Sequence, residues 1–482
     1  MSRSVFRRST WRRALGAAGL SLALAPALHA ADGETVAPRR LTLKQALAEA
    51  FALSPALNAR RAAVDEARGR LVSADTFRFN PELEGAVADR RTPVGSVTDY
   101  GFGLSQELEI GGQRGKRADT ATARLAAAQA AFFRDRRLLA ARVELAFADA
   151  VWFRERFRVE ERDAELTRRF LDLSQKRLEA GATSQLDVNL ARAAHGRALR
   201  RVEQARAAAF EARSLLAEAI GLDPSIPPLP AGELPEPSPE PLSLEALVRQ
   251  AAATRTDLEA LRQSRLAAEA RLSLAHAERI PNLRLRGFYD REEGTDRIFG
   301  GQVAISLPLF NRNQGGIAEA RAALDRSGHE RSAFELTVQR EVAAAHARLQ
   351  AAVATTEQLR GQVMGSLEES LGLLERSFSA GKIGAMELLV FRREFVESER
   401  DYVGVLADAW RARIELDHAA GRLSVPALDP ESRRRCRRHS RTSQRYCSSR
   451  SWRPGRALPP PRPPRRERRP RNTPARSTKS ES

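Results

Sequence analysis

The sequence predicts a mainly α-helical chain with a small membrane β part, built by duplicating a helix–strand–strand–helix unit. Three observations lead there. First, Tyr100 to Lys116 begins with strict alternation: Tyr100, Phe102, Leu104 and Leu108 fall on one face, Gly101, Gly103, Ser105 and Glu107 on the other. That period of two marks a strand. Taken alone it fits a strand on a soluble core or one with lipid on one side and water on the other. Second, the stretch recurs. Phe299, Val303, Ile305 and Leu307 share a face, with Gln302, Ala304 and Ser306 opposite, and Ser306 follows Ser105 by 201 positions. Leu41-Thr-Leu and Leu242-Ser-Leu have the same offset. Pro81/Pro281, Gly181/Gly381 and Gly221/Gly421 are related by 200. Such a register is the signature of an internal repeat. Third, each strand pair is followed by an Ala/Arg/Leu-rich stretch of about sixty residues that reads as one very long helix.

In chain order, residues 1–30 read as a secretory signal peptide. Arg3, Arg7, Arg8, Arg12 and Arg13 precede the apolar run Ala14–Leu28, and small residues up to Ala31 offer cleavage sites, the best after Ala30. That run is short for a transmembrane helix, and no later run reaches about twenty apolar residues. The first repeat covers 31–222. A short helix and a longer one separated by Ser54-Pro55 lead to strands at about 82–89 and 100–109, joined by a polar loop from Asp89 to Asp99. The glycines at 111, 112 and 115 then end the strand.

The long helix that follows runs to Glu179, which at 1.5 Å per residue gives a rod of roughly 90–100 Å. Leu139, Val143, Ala146, Ala150, Phe153 and Phe157 are spaced by alternating fours and threes and predict a coiled-coil seam. Arg156–Glu160 and Glu165–Arg169 are expected as i,i+4 pairs on the solvated side. A turn at about 180–184 follows, then Ser184-Gln-Leu-Asp187 as a capping box, and a helix ended by Gly221. Residues 223–241 form a Pro-rich linker. The second repeat, 242–425, should repeat the plan, with strands at about 283–290 and 298–309, a helix from Gln314 to about Phe378, a tip at about 380–384 and a last helix to Ala420.

Net charge is +19, but the ends carry it. The stretch 432–482 holds 18 Lys+Arg against two acids, and subtracting it and the five signal arginines leaves the body near −2. Residues 426–482 therefore read as a basic, Pro/Arg-rich disordered tail or as out-of-frame sequence. A nucleic-acid-binding reading would rest on this tail alone. Both cysteines, Cys436 and Cys447, lie there.

The body offers no catalytic centre, cofactor site or metal cluster by motif. There is no HExxH, GxSxG or phosphate loop, and His195, His276, His329, His346 and His418 stand singly on helices. The acids are spread along helix faces and are expected to be solvated.

Four strands per chain cannot close a barrel, and a lipid-spanning sheet must close. The strands must therefore be pooled between copies, with the helical rods packed as an extension. On these residues, and on Ser105-Gln-Glu-Leu-Glu-Ile-Gly-Gly-Gln-Arg-Gly and Leu307-Pro-Leu-Phe-Asn-Arg, the chain resembles the TolC-type outer-membrane efflux family over about 41–425. Gly-Gly-Gln-Arg-Gly is most similar to the CzcC-like heavy-metal branch. The resemblance implies a homotrimer: a twelve-stranded β-barrel in outer-membrane lipid on a long α-helical tunnel through the periplasm of a Gram-negative cell. It implies as partners a periplasmic adaptor and an inner-membrane RND-type pump, and as cargo heavy-metal cations. No nucleic acid, no cofactor and no enzymatic step are expected. A periplasmic coiled-coil adaptor and a channel for organic compounds are the alternatives.

The resemblance also assigns residues. Arg177, Leu178, Gly181 and Ser184 form one hairpin tip, and Arg376, Phe378, Gly381 and Ile383 the other; in the family these grooves dock the adaptor. Asp187 and Glu387, six residues past each tip glycine, are gate candidates, Glu387 resembling a constriction acid of the family. Helix-cap chemistry explains the same acids equally well. Ile383 and Val390 stand where some relatives carry a basic tip residue and a second acid. Gly111, Gly112, Arg114, Pro308 and Phe310 belong to the strand-to-helix motif.

Overall fold

The computed structural model describes residues 39–93, 95–293, 295–360 and 365–422. The expected signal peptide and basic tail lie outside the described residues. The first repeat opens with β1 (Arg40–Leu41), α1 (Leu43–Leu53) and α2 (Pro55–Asp75). Thr42 and Gln45 close a capping box on α1, and Ser54 caps α2 ahead of a proline at its first turn. Then come β2 (Glu82–Thr92), β3 (Gly95–Leu108), the 67-residue α3 (Gln113–Glu179) and α4 (Gln185–Ile220). The second repeat supplies α5 (Leu244–Thr254), α6 (Thr256–Ala277), β5 (Leu283–Glu292), β6 (Asp296–Ile305), α7 (Gln314–Leu359), α8 (Gly365–Ser379) and α9 (Ala385–Ala419). The expected single helix from Gln314 to Phe378 is thus described as two pieces. Residues 361–364 between them lie outside the described residues.

The four long strands form one antiparallel sheet in the order β2-β3-β5-β6. The first hairpin is longer than expected: Asp89 to Asp99 is its upper half, not a loop. Arg90 holds it shut, its Nε donating to Asp99 Oδ2 at 2.7 Å, so polar residues there form cross-strand pairs. The second hairpin likewise extends to Glu292 and Asp296, while β6 stops at Ile305 rather than 309. Pro308 has no N–H to give a ladder. The linker also does more than tether. Leu229–Pro230 (β4) pairs in parallel with β1, and Glu240 receives Arg422 at 2.7 Å and Arg413 at 3.2 Å.

Helix packing corrects the predicted seam. Val143 and Ala150 are buried, but Leu139, Ala146, Phe153 and Phe157 are only half-buried. The buried row runs Ala140, Glu144, Phe147, Val151 and, further on, Glu160, Asp163, Thr167, Phe170, Ser174. It keeps the three-four rhythm, yet carries carboxylates. These are not solvated, as expected, but paired across helices. Glu160 accepts Arg201 at 3.3 Å and Arg400 at 2.8 Å, in place of the expected Arg156. Asp163, fully buried, accepts Arg201 at 2.5 Å and also Arg392, and Glu144 meets His418 Nε2 at 2.8 Å. Glu165–Arg169 is present at 3.2 Å. Arginines from α4 and α9 thereby tie the first repeat to the second. Apolar clusters fill the rest: Leu247, Val342, Leu349 and Leu416 join α5, α7 and α9, and Phe170, Ala191, Phe378, Ala385 and Leu388 pack at the tips.

Candidate functional site

The strand register assigns each side chain of the sheet to one of two faces. On one lie Leu83, Val87, Phe102, Leu104, Leu285, Phe299, Val303 and Ile305, all exposed, with Leu83 80% and Phe299 78% accessible. The other carries Glu82, Glu84, Asp99, Glu107, Asp290, Glu292 and Asp296 against Arg90, Arg284 and Arg286. Glu84–Arg286 (3.0 Å) and Glu107–Arg284 (3.3 Å) are paired on it. A soluble sheet buries its apolar face. This one leaves its apolar face exposed and gathers paired charges on the other, which suits lipid outside and water inside. Small residues make room within the polar face. A Cβ on Gly101 would stand 2.1 Å from Asp290 Oδ1, and one on Gly300 2.2 Å from Phe288 Cζ.

At the strand-to-helix corner, Gly112 takes φ 70° and opens α3, a conformation suited to glycine. Gly111 donates its N–H to Gln113 Oε1 at 2.8 Å, and Gln113 Nε2 reaches Ile280 O at 2.7 Å. A Cβ on Gly111 would lie 2.6 Å from Ile280 Cβ. Arg114 reaches back to Asp75 O at 2.7 Å and stacks 4.5 Å over Phe77. The second corner repeats the device: Arg312 N–H donates to Gln314 Oε1 at 2.7 Å, and Asn313 at φ 55° replaces Gly112. Pro308 O accepts Arg312 Nε at 3.2 Å, while Phe310 is 92% exposed. Gln113 and Gln314 escaped the sequence reading, although they share the 201 offset that defined the repeat.

The tips of the two hairpins lie together. Arg177 Nη1 donates to Phe378 O at 2.8 Å, its Nη2 to Ala182 O at 3.1 Å, and its guanidinium sits 4.7 Å from the Phe378 ring centroid. Phe378 is 1% exposed against Phe170, with Ile383 packed beside it. Gly181 (φ 71°) and Gly381 (φ 75°) make the turns. Leu178 is half-buried and Arg376 exposed. Asp187 is the third residue of the Ser184 capping box and accepts Thr183 Oγ1 at 2.7 Å and Ser184 Oγ at 2.8 Å. Those hydrogen bonds, Thr183 first, hold its carboxyl below the usual range. Glu387 has the corresponding place, accepting Gly384 N–H at 3.2 Å. Among the described residues no helix is long and apolar enough to cross a membrane, and no group of three His, Cys, Asp or Glu could hold a metal ion.

Residues 46–222 and 247–422, the two repeats, each match the sequence model of the outer membrane efflux protein family. The chain is 28% identical over 426 residues to the cobalt-zinc-cadmium resistance protein CzcC of Cupriavidus metallidurans, covering 84% of this chain and 98% of that one. It is also 29% identical to protein CyaE of Bordetella pertussis, over 55% of this chain and 58% of the other. Among solved structures, the outer-membrane channel OprN aligns with TM-score 0.65 at 19% identity, covering 79% of this chain and 89% of that one. CusC aligns with TM-score 0.65 at 18% identity, covering 79% and 92%. Duplicated repeats, an inside-out four-stranded sheet and paired helical hairpins thus agree with the sequence match: the chain belongs to the outer membrane efflux protein family, whose members are outer-membrane channels with a periplasmic helical tunnel.

Proposed function

We propose that three copies of this chain form the exit duct of a tripartite system that expels heavy-metal cations. The observation that carries the reading is the sheet: exposed apolar residues on one side, charged residues on the other, and two edges, β2 and β6, open to further strands. Cyclic symmetry brings unlike edges together, so β6 of one copy meets β2 of the next. Because β2 and β6 run in opposite directions, every junction is antiparallel, and three copies give twelve strands. Seven carboxylates against three arginines on the inner face favour cations over anions in transit. Similarity along almost all of a cobalt-zinc-cadmium resistance protein supports the same cargo class.

The hairpin tips are the proposed dock for a periplasmic adaptor, which couples the duct to an inner-membrane RND-type pump. Arg376, Ser184 and the turn glycines Gly181 and Gly381 offer the accessible part of that surface. Arg177, Leu178, Phe378 and Ile383 support it from within. Asp187 and Glu387 are the proposed gate acids: threefold repetition would gather each into a carboxylate ring at the duct's periplasmic end. Glu387→Ala should then raise single-channel conductance and weaken cation preference; unchanged values would remove Glu387 from the gate.

The test of cargo is growth of a deletion strain across zinc, cobalt, cadmium, copper, silver, dyes and antibiotics. The proposal expects sensitivity to one group of metals, reversed by the gene. Sensitivity to organic compounds alone would overturn the metal assignment and leave the duct.

A further inference from the structure

The internal repeat supplies a template for the junction between copies, because the two hairpins keep one register. Leu83 stands opposite Leu104 in the first hairpin, and Leu283 opposite Ile305 in the second. Moving β2 forward by 200 residues and β3 by 201, the offsets of the sequence repeat, turns one pairing into the other. β5 and β6 are therefore the counterparts of β2 and β3.

The sheet holds one junction between hairpins, β3 against β5. There Leu108 stands opposite Leu283, Leu104 opposite Gly287 and Phe102 opposite Tyr289. The equivalent junction would join β6 to β2. Within one chain those strands are the two edges of the sheet, three strand spacings or about 14 Å apart, so a second copy must make it. Burial follows the same division. Gly103, Ser105 and Gln113 are buried at the β3–β5 junction, whereas their counterparts Ala304, Ser306 and Gln314 are exposed.

Applying the same offsets to that junction gives the contact between copies. Leu108–Leu283 becomes Leu309 against Leu83, so leucine again meets leucine. Leu104–Gly287 becomes Ile305 against Val87, and Phe102–Tyr289 becomes Val303 against Asp89. Ile305, Val303 and Val87 all belong to the apolar face, and a slip of one residue would set that face against the charged one. The corner transfers less closely, since Arg312 stands where Gly111 lies against Ile280. The ladder, not the corner, carries the register.

We propose that β6 of one copy pairs with β2 of the next with Ile305 opposite Val87, so that six equivalent hairpins close the barrel. This register deepens the trimeric-duct reading and rests on it, but not on the cargo.

The test is disulfide trapping in the full-length chain, with Cys436→Ser and Cys447→Ser removing the native thiols. Directly opposed strand residues have Cα atoms about 4.5–5.5 Å apart, within disulfide range, whereas partners two residues out of register lie about 7–8 Å apart, beyond it. Val87→Cys/Ile305→Cys should give a covalent trimer on a denaturing, non-reducing gel, and so should Asp89→Cys/Val303→Cys. Val87→Cys/Val303→Cys should give at least about tenfold less. Preferred trapping of this last pair, or no trapping of either opposed pair in assembled protein, overturns the register. Two opposed pairs keep the test decisive if one variant does not assemble. Native mass spectrometry of the reduced protein reads the trimer separately. A trimer trapped at the displaced pair refutes the register and leaves the duct, whereas a monomer removes both.

Discussion

Replacing Asp163 with alanine should be among the most damaging single changes in the helical part. The carboxylate is fully buried on α3 and bridges Arg201 of α4 to Arg392 of α9. Its loss leaves Arg392, with a side chain only 12% exposed, facing a void. Burial already pushes the Arg392 guanidinium below its ordinary pKa, and Asp163 is the charge that opposes this. Breaking a buried pair by removing one partner costs about 3–5 kcal/mol. At about 2.1 cal/mol/K of unfolding entropy per residue, a chain of this size shifts by only about 1 °C per kcal/mol, so the thermal midpoint should fall by roughly 4–6 °C. The assay is far-ultraviolet circular dichroism of the detergent-solubilised protein on heating. Asp163→Ala/Arg392→Ala should recover part of the loss, because the stranded cation is gone. A midpoint within about 1 °C of wild type, the behaviour of an exposed pair, would refute the buried lock between the repeats.

Three further outcomes follow from the geometry. Gly300→Ala places a methyl 2.2–2.8 Å from Phe288 ring carbons and should reduce the heat-modifiable oligomer, with Phe288→Ala restoring it; a lone Gly300→Ala that assembles normally would contradict the packing. Arg177→Ala removes two hydrogen bonds and one cation–π contact, worth about 1–3 kcal/mol together, so amide exchange at 178–184 and 378–384 should quicken about tenfold or more. Glu240→Gln tests a titration: hydrogen bonding from Arg422 depresses the Glu240 carboxyl, so its stabilisation is present above the unfolded pKa and lost as pH falls through the lower folded value. The thermal midpoint of the variant should therefore lie below wild type at neutral pH, and the gap should close below about pH 4.

Much of this architecture was legible because the repeat wrote it twice. Ser105 and Ser306 gave the strands, Gly181 and Gly381 the tips, and the Ser184–Asp187 spacing the cap, since each depends on local backbone chemistry. The buried row of α3 was not legible. Hydrophobic periodicity selects Leu139, Ala146 and Phe153, whereas the packed positions include Glu144, Glu160 and Asp163, whose partners His418, Arg400 and Arg201 stand 38 to 274 residues away. The hairpin ends are hidden from local pattern for a related reason. Asp89, Arg90 and Asp99 look like loop residues until Arg90 is seen spanning both hairpins to reach Glu292 and Glu293. Propensity is local, and these charges are satisfied only across the fold.

The central claim is that the sheet meets lipid on its apolar face and water on its charged one. Spin labels at Phe102, Val303, Glu84 and Gln302, read in reconstituted bilayers, test it directly. Labels at Phe102 and Val303 should be accessible to oxygen and shielded from a water-soluble nickel chelate, and those at Glu84 and Gln302 should show the reverse. Chelate access at all four positions would contradict a lipid-facing barrel.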